Sequence, residues 1–228
     1  GSVIGPARCA AFSLAGEVCK AGRMRIGILG GTGPAGSALA ARLASIGFEA
    51  VIGSRSKYRA MEARDSQVEK WPDLASMLSY GDNAAAADCD IVVIATPWDS
   101  AATTAQENEE ALAGKIVVSM ANALVRVGKE FQPLVPPRGS VAAHVQAAVP
   151  RCRVVPPFHH LPATELGNIG EPIDSDVLIC GDDPAAVKTM SEIISMIPGC
   201  RPLDAGELSN ATAIEAFTAV MLQLNVRY

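Results

Sequence analysis

Four short runs, RIGIL at 25–29, EAVIG at 49–53, DIVVIA at 90–95 and KIVVS at 115–119, stay apolar where a half-buried strand would alternate. A strand with no polar face must be covered on both sides, which a parallel sheet with helices above and below provides. Ala-rich stretches stand between the runs, and helices are expected at 34–46, 57–64 and 99–112. The chain therefore reads as α/β, a Rossmann-type doubly wound parallel sheet. Pro133, Pro136, Pro137 and Gly139 predict an irregular loop over 129–140, before a helix at 141–148 and a strand in CRVVP. From 157 the texture changes to the Pro- and His-containing PFHHLPATELGN. A second unit follows: strand DVLICG, helix PAAVKTMSEIISMI, strand and turn RPLDAG, and a closing helix from Glu207. The expected division is an extension at 1–23 that is poorly ordered, a Rossmann domain at 24–156, and a small C-terminal α/β domain at 157–228.

The first strand runs into GGTGPAG, where Gly31, Gly33 and Gly36 match G-x-G-x-x-G. In that pattern the first glycine permits the turn and the second lets a pyrophosphate approach the backbone. The third allows close helix packing, and the helix N-terminus holds the phosphate. A glycine-rich turn alone is weak, but this one follows a strand, opens a helix and lies within a βαβ unit. The end of the second strand names the dinucleotide. An acidic residue there would bond the ribose 2′-hydroxyl of NAD, whereas this strand ends in Ser54 and Arg55, with Lys57 and Arg59 behind. A hydroxyl and guanidinium groups suit a 2′-phosphate, so NADP(H) is the expected dinucleotide.

Thr96, Pro97 and Trp98 follow IVVIA at the carboxyl edge of the sheet, where ligands of such folds sit. Trp98 either lines the cofactor or packs at a helix start. Asn122, in the loop after KIVVS, is either a ligand contact or a loop cap. His159 and His160 are adjacent and point apart in an extended loop, so at most one faces a site, as strut or as catalyst. His144 falls in a helix and reads as structural.

Several classes of function are excluded. A net charge of −5 with scattered Lys and Arg argues against nucleic acid, and no apolar run approaches the roughly 18 residues of a membrane span. The six cysteines form no Cys-x-x-Cys pair and no metal-ligand spacing, so they read as reduced thiols of a cytoplasmic protein. No Tyr-x-x-x-Lys couple is present. The expected partners are small molecules, with no metal, no membrane and no nucleic acid.

GILGGTGPAG, VIGSR, ADCDIVVIATPWD, VVPPFHHLPA and IPGCRPLDAGELSNA, in this order and spacing, resemble the NADPH-dependent reductases of coenzyme F420. The likeness runs from Met24 to Tyr228. It implies hydride transfer between NADP(H) and the deazaflavin F420, bound in a cleft, in a homodimer. Carried onto this chain, Thr32, Gly33, Pro34 and Ala35 would hold the pyrophosphate, with Gly31 and Gly36 shaping the turn. Ser54, Arg55 and Arg59 would hold the 2′-phosphate, and Thr96, Pro97, Trp98 and Asn122 would line the cofactor. His159, Leu161, Pro162 and Ala163 would flank the two rings, His159 as a positioning or polarising catalytic group, and Thr218 would lie near the deazaflavin. The chain departs from the family pattern at Thr212, where an arginine is usual, at Ala216, often serine, at Asn122-Ala123 in place of Asn-Pro, and at Pro156-Pro157. All four departures fall on the deazaflavin side. They leave open another acceptor of NADPH hydride, such as a flavin, imine or carbonyl metabolite, or a non-catalytic NADP(H) sensor.

Overall fold

A computed structural model describes residues 24–227; the extension expected at 1–23 lies outside them. The chain begins β1 (Arg25–Leu29), α1 (Pro34–Ser45), β2 (Glu49–Ser54), α2 (Lys57–Lys70), β3 (Leu78–Asp82) and α3 (Asn83–Ala87). It continues with β4 (Ile91–Ile94), α4 (Trp98–Glu107), α5 (Glu109–Leu112) and β5 (Ile116–Ser119). A hairpin of β6 (Leu124–Val127) and β7 (Glu130–Pro133), then α6 (Val141–Ala148) and β8 (Arg153–Val155), complete the first part. The remainder is α7 (Ala163–Gly167), β9 (Ser175–Ile179), α8 (Pro184–Met196), β10 (Cys200–Asp204) and α9 (Ala211–Arg227).

Six strands form one parallel sheet in the order β3-β2-β1-β4-β5-β8. The order reverses between β1 and β4, which opens a crevice at their carboxyl ends. All four apolar runs lie in the sheet, and β4 and β5 are buried at every position. One core layer joins α1 to the sheet and to β9 and α8, while the other lies beneath α4 and α6. β9 and β10 pair in parallel as a separate small sheet.

Several elements differ from the sequence expectation. α2 runs to Lys70 rather than 64, because its polar last turns still pack along β2 and β3 until Trp71 and Pro72 end them. β3 was not expected, since LSYGD buries only Leu78 and Gly81 and so carries no apolar run. Part of the expected irregular loop pairs as the β6–β7 hairpin, its turn made at Gly128 with φ 62°. The backbone N–H of Phe131 donates to Gln223 Oε1 at 3.1 Å, fixing the hairpin to α9.

Two buried charged side chains hold the C-terminal part in place. Arg42, on α1 and 1% exposed, donates to the carbonyls of Glu165, Leu166, Asn168 and Glu171 at 2.7–3.1 Å. These carbonyls cluster at and just beyond the end of α7, where intrahelical donors run out; those of Glu165 and Asn168 also accept the Asn168 and Glu171 N–H groups at 3.3 and 3.1 Å. Lys70 Nζ and Trp71 Nε1 add bonds to the Gly167 carbonyl at 3.2 and 3.3 Å. At the other side, Glu215 of α9 accepts the backbone N–H groups of Val141 and Ala142 at 2.8 and 3.0 Å, docking the closing helix on the start of α6. Burial pushes the Glu215 carboxyl up to about 7, against the two amide bonds that favour its charge.

Replacing Arg42 by methionine should lower stability by roughly 2–4 kcal/mol, because buried carbonyls lose a charged donor. A urea unfolding series measures this, and a change below about 0.5 kcal/mol would contradict the clamp. Because the folded pKa of Glu215 lies above the ordinary 4.5, its contribution is fully present below pH 4.5 and is lost as pH rises through about 7. Unfolding free energy should therefore fall with pH across that window in the parent protein, and the Glu215→Gln variant should show a flatter profile.

Candidate active site

The crevice at the switch point holds two adjoining cavities of about 390 and 460 Å³. Gly30, Thr32, Thr96 and Pro97 line both, so they form one cleft along the carboxyl edge of the sheet. Ser54, Arg55, Ser56, Arg59 and Asn83 line its outer end, with Asp99 and Glu107 of α4 opposite. Gly33, Pro34, Ala35, Gly36, Trp98, Met120, Ala121 and Asn122 line its inner end.

The glycine turn is built differently from the simple motif reading. The left-handed residue is Gly30, with φ 67°, one position before the motif. Gly31 is needed for close approach, since a Cβ there would come 2.9 Å from the Ile28 carbonyl oxygen. At Gly36 a Cβ would come 2.9 Å from the Gly31 Cα and 3.1 Å from Ala95. At Gly33 it would meet no protein atom within 4 Å, so the space kept clear there belongs to the cleft. No side chain caps α1, which leaves its first-turn amides facing that space. Thr96 Oγ1 is buried there without a protein partner. This combination suits a pyrophosphate, which brings acceptor oxygens and needs backbone proximity.

Around the outer end, the Ser54 hydroxyl accepts the Ser56 N–H at 3.2 Å, and Ser56 in turn caps α2 through the Arg59 N–H. Arg55 and Arg59 are exposed and form no ion pair among the described residues. Asn83 was not singled out from sequence. Its Oδ1 accepts the Gly30 N–H at 3.2 Å and so braces the turn from α3. The Asp-Asn-Ala₄ pattern, with Asp82 accepting the Ala85 N–H at 2.8 Å as helix cap, was the available signal.

His159 lies behind the inner end and is 4% exposed. Its Nδ1 is 2.8 Å from Asn122 Oδ1, and its carbonyl accepts from Asn122 Nδ2 at 2.9 Å and from Thr218 Oγ1 at 3.2 Å. Burial, with a smaller push from His160, lowers the imidazole pKa to about 3, so it is neutral at working pH. His160 instead turns outward, its Nε2 2.6 Å from the Asp176 carbonyl oxygen. Leu161 is buried in the core, and Pro162 and Ala163 start α7. These three, with His159 and Thr218, are not among the residues lining either cavity; they form the structure behind its wall.

Residues 25–123 match the family model described as NADP oxidoreductase, coenzyme F420-dependent. The chain is 36% identical over 210 residues to an F420-dependent NADP reductase of Methanocaldococcus jannaschii, covering 90% of this chain and 94% of that one. It is 30% identical over 213 residues to the F420-dependent NADP reductase of Methanothermobacter marburgensis, covering 90% and 93%. Among solved structures it superposes, at a TM-score of 0.70 and 26% identity, on a protein from Arthrobacter sp. FB24 described as a putative F420-dependent NADP reductase, over 90% of this chain and 93% of that one.

Proposed function

The chain belongs to the coenzyme F420-dependent NADP reductase family, and on that premise we propose that it passes hydride between NADP(H) and the deazaflavin F420. The observation that carries this reading is the cleft itself, with a clear pyrophosphate seat at Gly33 between an outer end bearing Arg55 and Arg59 and an inner end bearing Trp98 and Asn122. The nicotinamide would give or take the hydride. The chain contributes placement: the α1 amides and Thr32 take the pyrophosphate, and Ser54, Arg55 and Arg59 take the 2′-phosphate. Trp98, Met120 and Asn122 bound the space for the nicotinamide. Hydride exchange between two ring carbons requires the rings about 3–3.5 Å apart and aligned, and no proton donor at the carbon. A cleft wall whose histidine is neutral and bonded away suits that requirement.

A homodimer is part of the proposal. Phe217, Val220 and Leu224 are 44–52% exposed on one face of α9, and Phe131 and Pro133 of the hairpin line the same groove as Val220 and Leu224, an apolar strip of the kind that marks an interface. The thiols of Cys89, Cys152, Cys180 and Cys200 are all free, which agrees with a reducing, cytoplasmic setting. Thr212 and Ala216 favour one second reading, in which NADPH reduces another acceptor, such as a flavin, imine or carbonyl metabolite.

Mixing the protein with excess NADPH and F420 should bleach the deazaflavin absorbance. NADPH binding with no bleaching, together with NADPH oxidation by another acceptor, would favour the second reading. Arg55→Ala should weaken NADPH binding about tenfold or more and leave NADH little changed. Equal losses for the two, measured by fluorescence titration, would remove the 2′-phosphate assignment.

A further inference from the structure

The side chain of Asn122 is held by one residue at two points. Its Nδ2 donates to the His159 carbonyl at 2.9 Å, and its Oδ1 lies 2.8 Å from His159 Nδ1. A carbonyl can only accept, so the amide has a single orientation, and Oδ1 must face the ring. The tautomer follows: Nδ1 carries the proton and donates to Oδ1. Nε2 is then a bare lone pair, sealed from solvent and without a hydrogen-bond partner. Buried polar atoms are rarely left so, and here the arrangement sacrifices one ring nitrogen to fix the other.

Two further features converge on the same carbonyl. Thr218 Oγ1, on the buried face of α9, donates to it at 3.2 Å. Phe158, immediately before it, has φ 71° and is the non-glycine residue with left-handed backbone among those described. Its carbonyl accepts the Leu161 N–H at 3.2 Å, closing a turn that points the His159 carbonyl toward both donors. A bulky residue adopts that conformation only where its surroundings impose it, and such strain collects where a side chain must be aimed.

We propose that Asn122, His159 and Thr218 form a positioning relay, through which the closing helix sets the orientation of the Asn122 carboxamide at the inner end of the cleft. In this relay His159 is a neutral strut with its proton on Nδ1, and Asn122 is the group that meets the ligand. The inference rests on the proposed reading of the cleft, because it takes the inner end as the place of hydride exchange. It also revises the role that the family resemblance implied for His159. A polarising group would need a proton on a nitrogen facing the cleft, whereas the proton here points at Asn122 and the other nitrogen is sealed. The neutrality imposed by burial and by His160 agrees with the strut.

Nitrogen-15 NMR of the imidazoles in the unliganded protein tests the relay without any turnover. His159 should stay neutral with its proton on Nδ1 from about pH 5.5 to 8; titration in that range, or a proton on Nε2, overturns the proposal. Kinetics test the coupling to α9. Thr218→Val keeps the shape and removes the donor, so hydride transfer at saturating NADPH and F420 should slow about three- to tenfold while the NADPH dissociation constant stays within about twofold. Thr218→Ser should restore the rate. A Thr218→Val rate within about twofold of the parent, or equal losses in rate and NADPH affinity, would overturn it. Should the parent protein fail to reduce F420 at all, the assigned activity falls, while the tautomer measurement still decides the strut.

Discussion

The guanidinium of Arg42 ties the cleft to its supporting wall. It leaves α1, the helix that follows the glycine turn, and takes four carbonyl oxygens around the end of α7. A buried cation without a carboxylate partner is costly unless every donor finds an acceptor. A helix end with open carbonyls is equally costly until donors arrive. Each solves the other's problem, and the result is a rigid link between residues more than 120 apart in sequence. The loop carrying His159 runs directly into α7, the helix this anchor holds, so the position of the inner wall depends on it.

The cleft is electrostatically uneven, and the unevenness has a physical logic. Its outer end offers exposed cations, which can attract a phosphate without a burial cost. Its inner end is shaped by Trp98, Met120 and a doubly bonded amide, with no charge aimed into it. Phosphates need counter-charge and amides, whereas hydride exchange needs exclusion of water and fixed ring placement. The glycine turn stands between the two ends, where the proposed function has the backbone amides meet the pyrophosphate.

Much of the fold was legible because apolar runs report burial directly. RIGIL, IVVIA and KIVVS could sit only inside a parallel sheet, and the glycine motif could sit only at the end of the first of them. The polar edge strand β3 was invisible for the converse reason, since an edge strand buries few side chains. The helix limit at 64 failed because the later turns of α2 are polar apart from Val68, which packs against the core, and are held by their neighbours. Arg42 looked like one of many helix cations, and Asn83 like part of an Ala-rich stretch. Neither carries a local signal, because each acts on backbone groups distant in sequence or across strands.

By itself the sequence determined the apolar strands of the sheet, the place of the glycine turn and the cations at its outer end, since burial periodicity and local backbone chemistry act over a few residues. Tertiary structure alone decided the state of His159. A histidine in FHHLPA has two tautomers and a charge to choose. The choice belongs to Asn122, His160 and the depth of burial, which exist only once the chain has closed. The same holds for Gly33, whose missing side chain means nothing until the surrounding atoms leave that space clear.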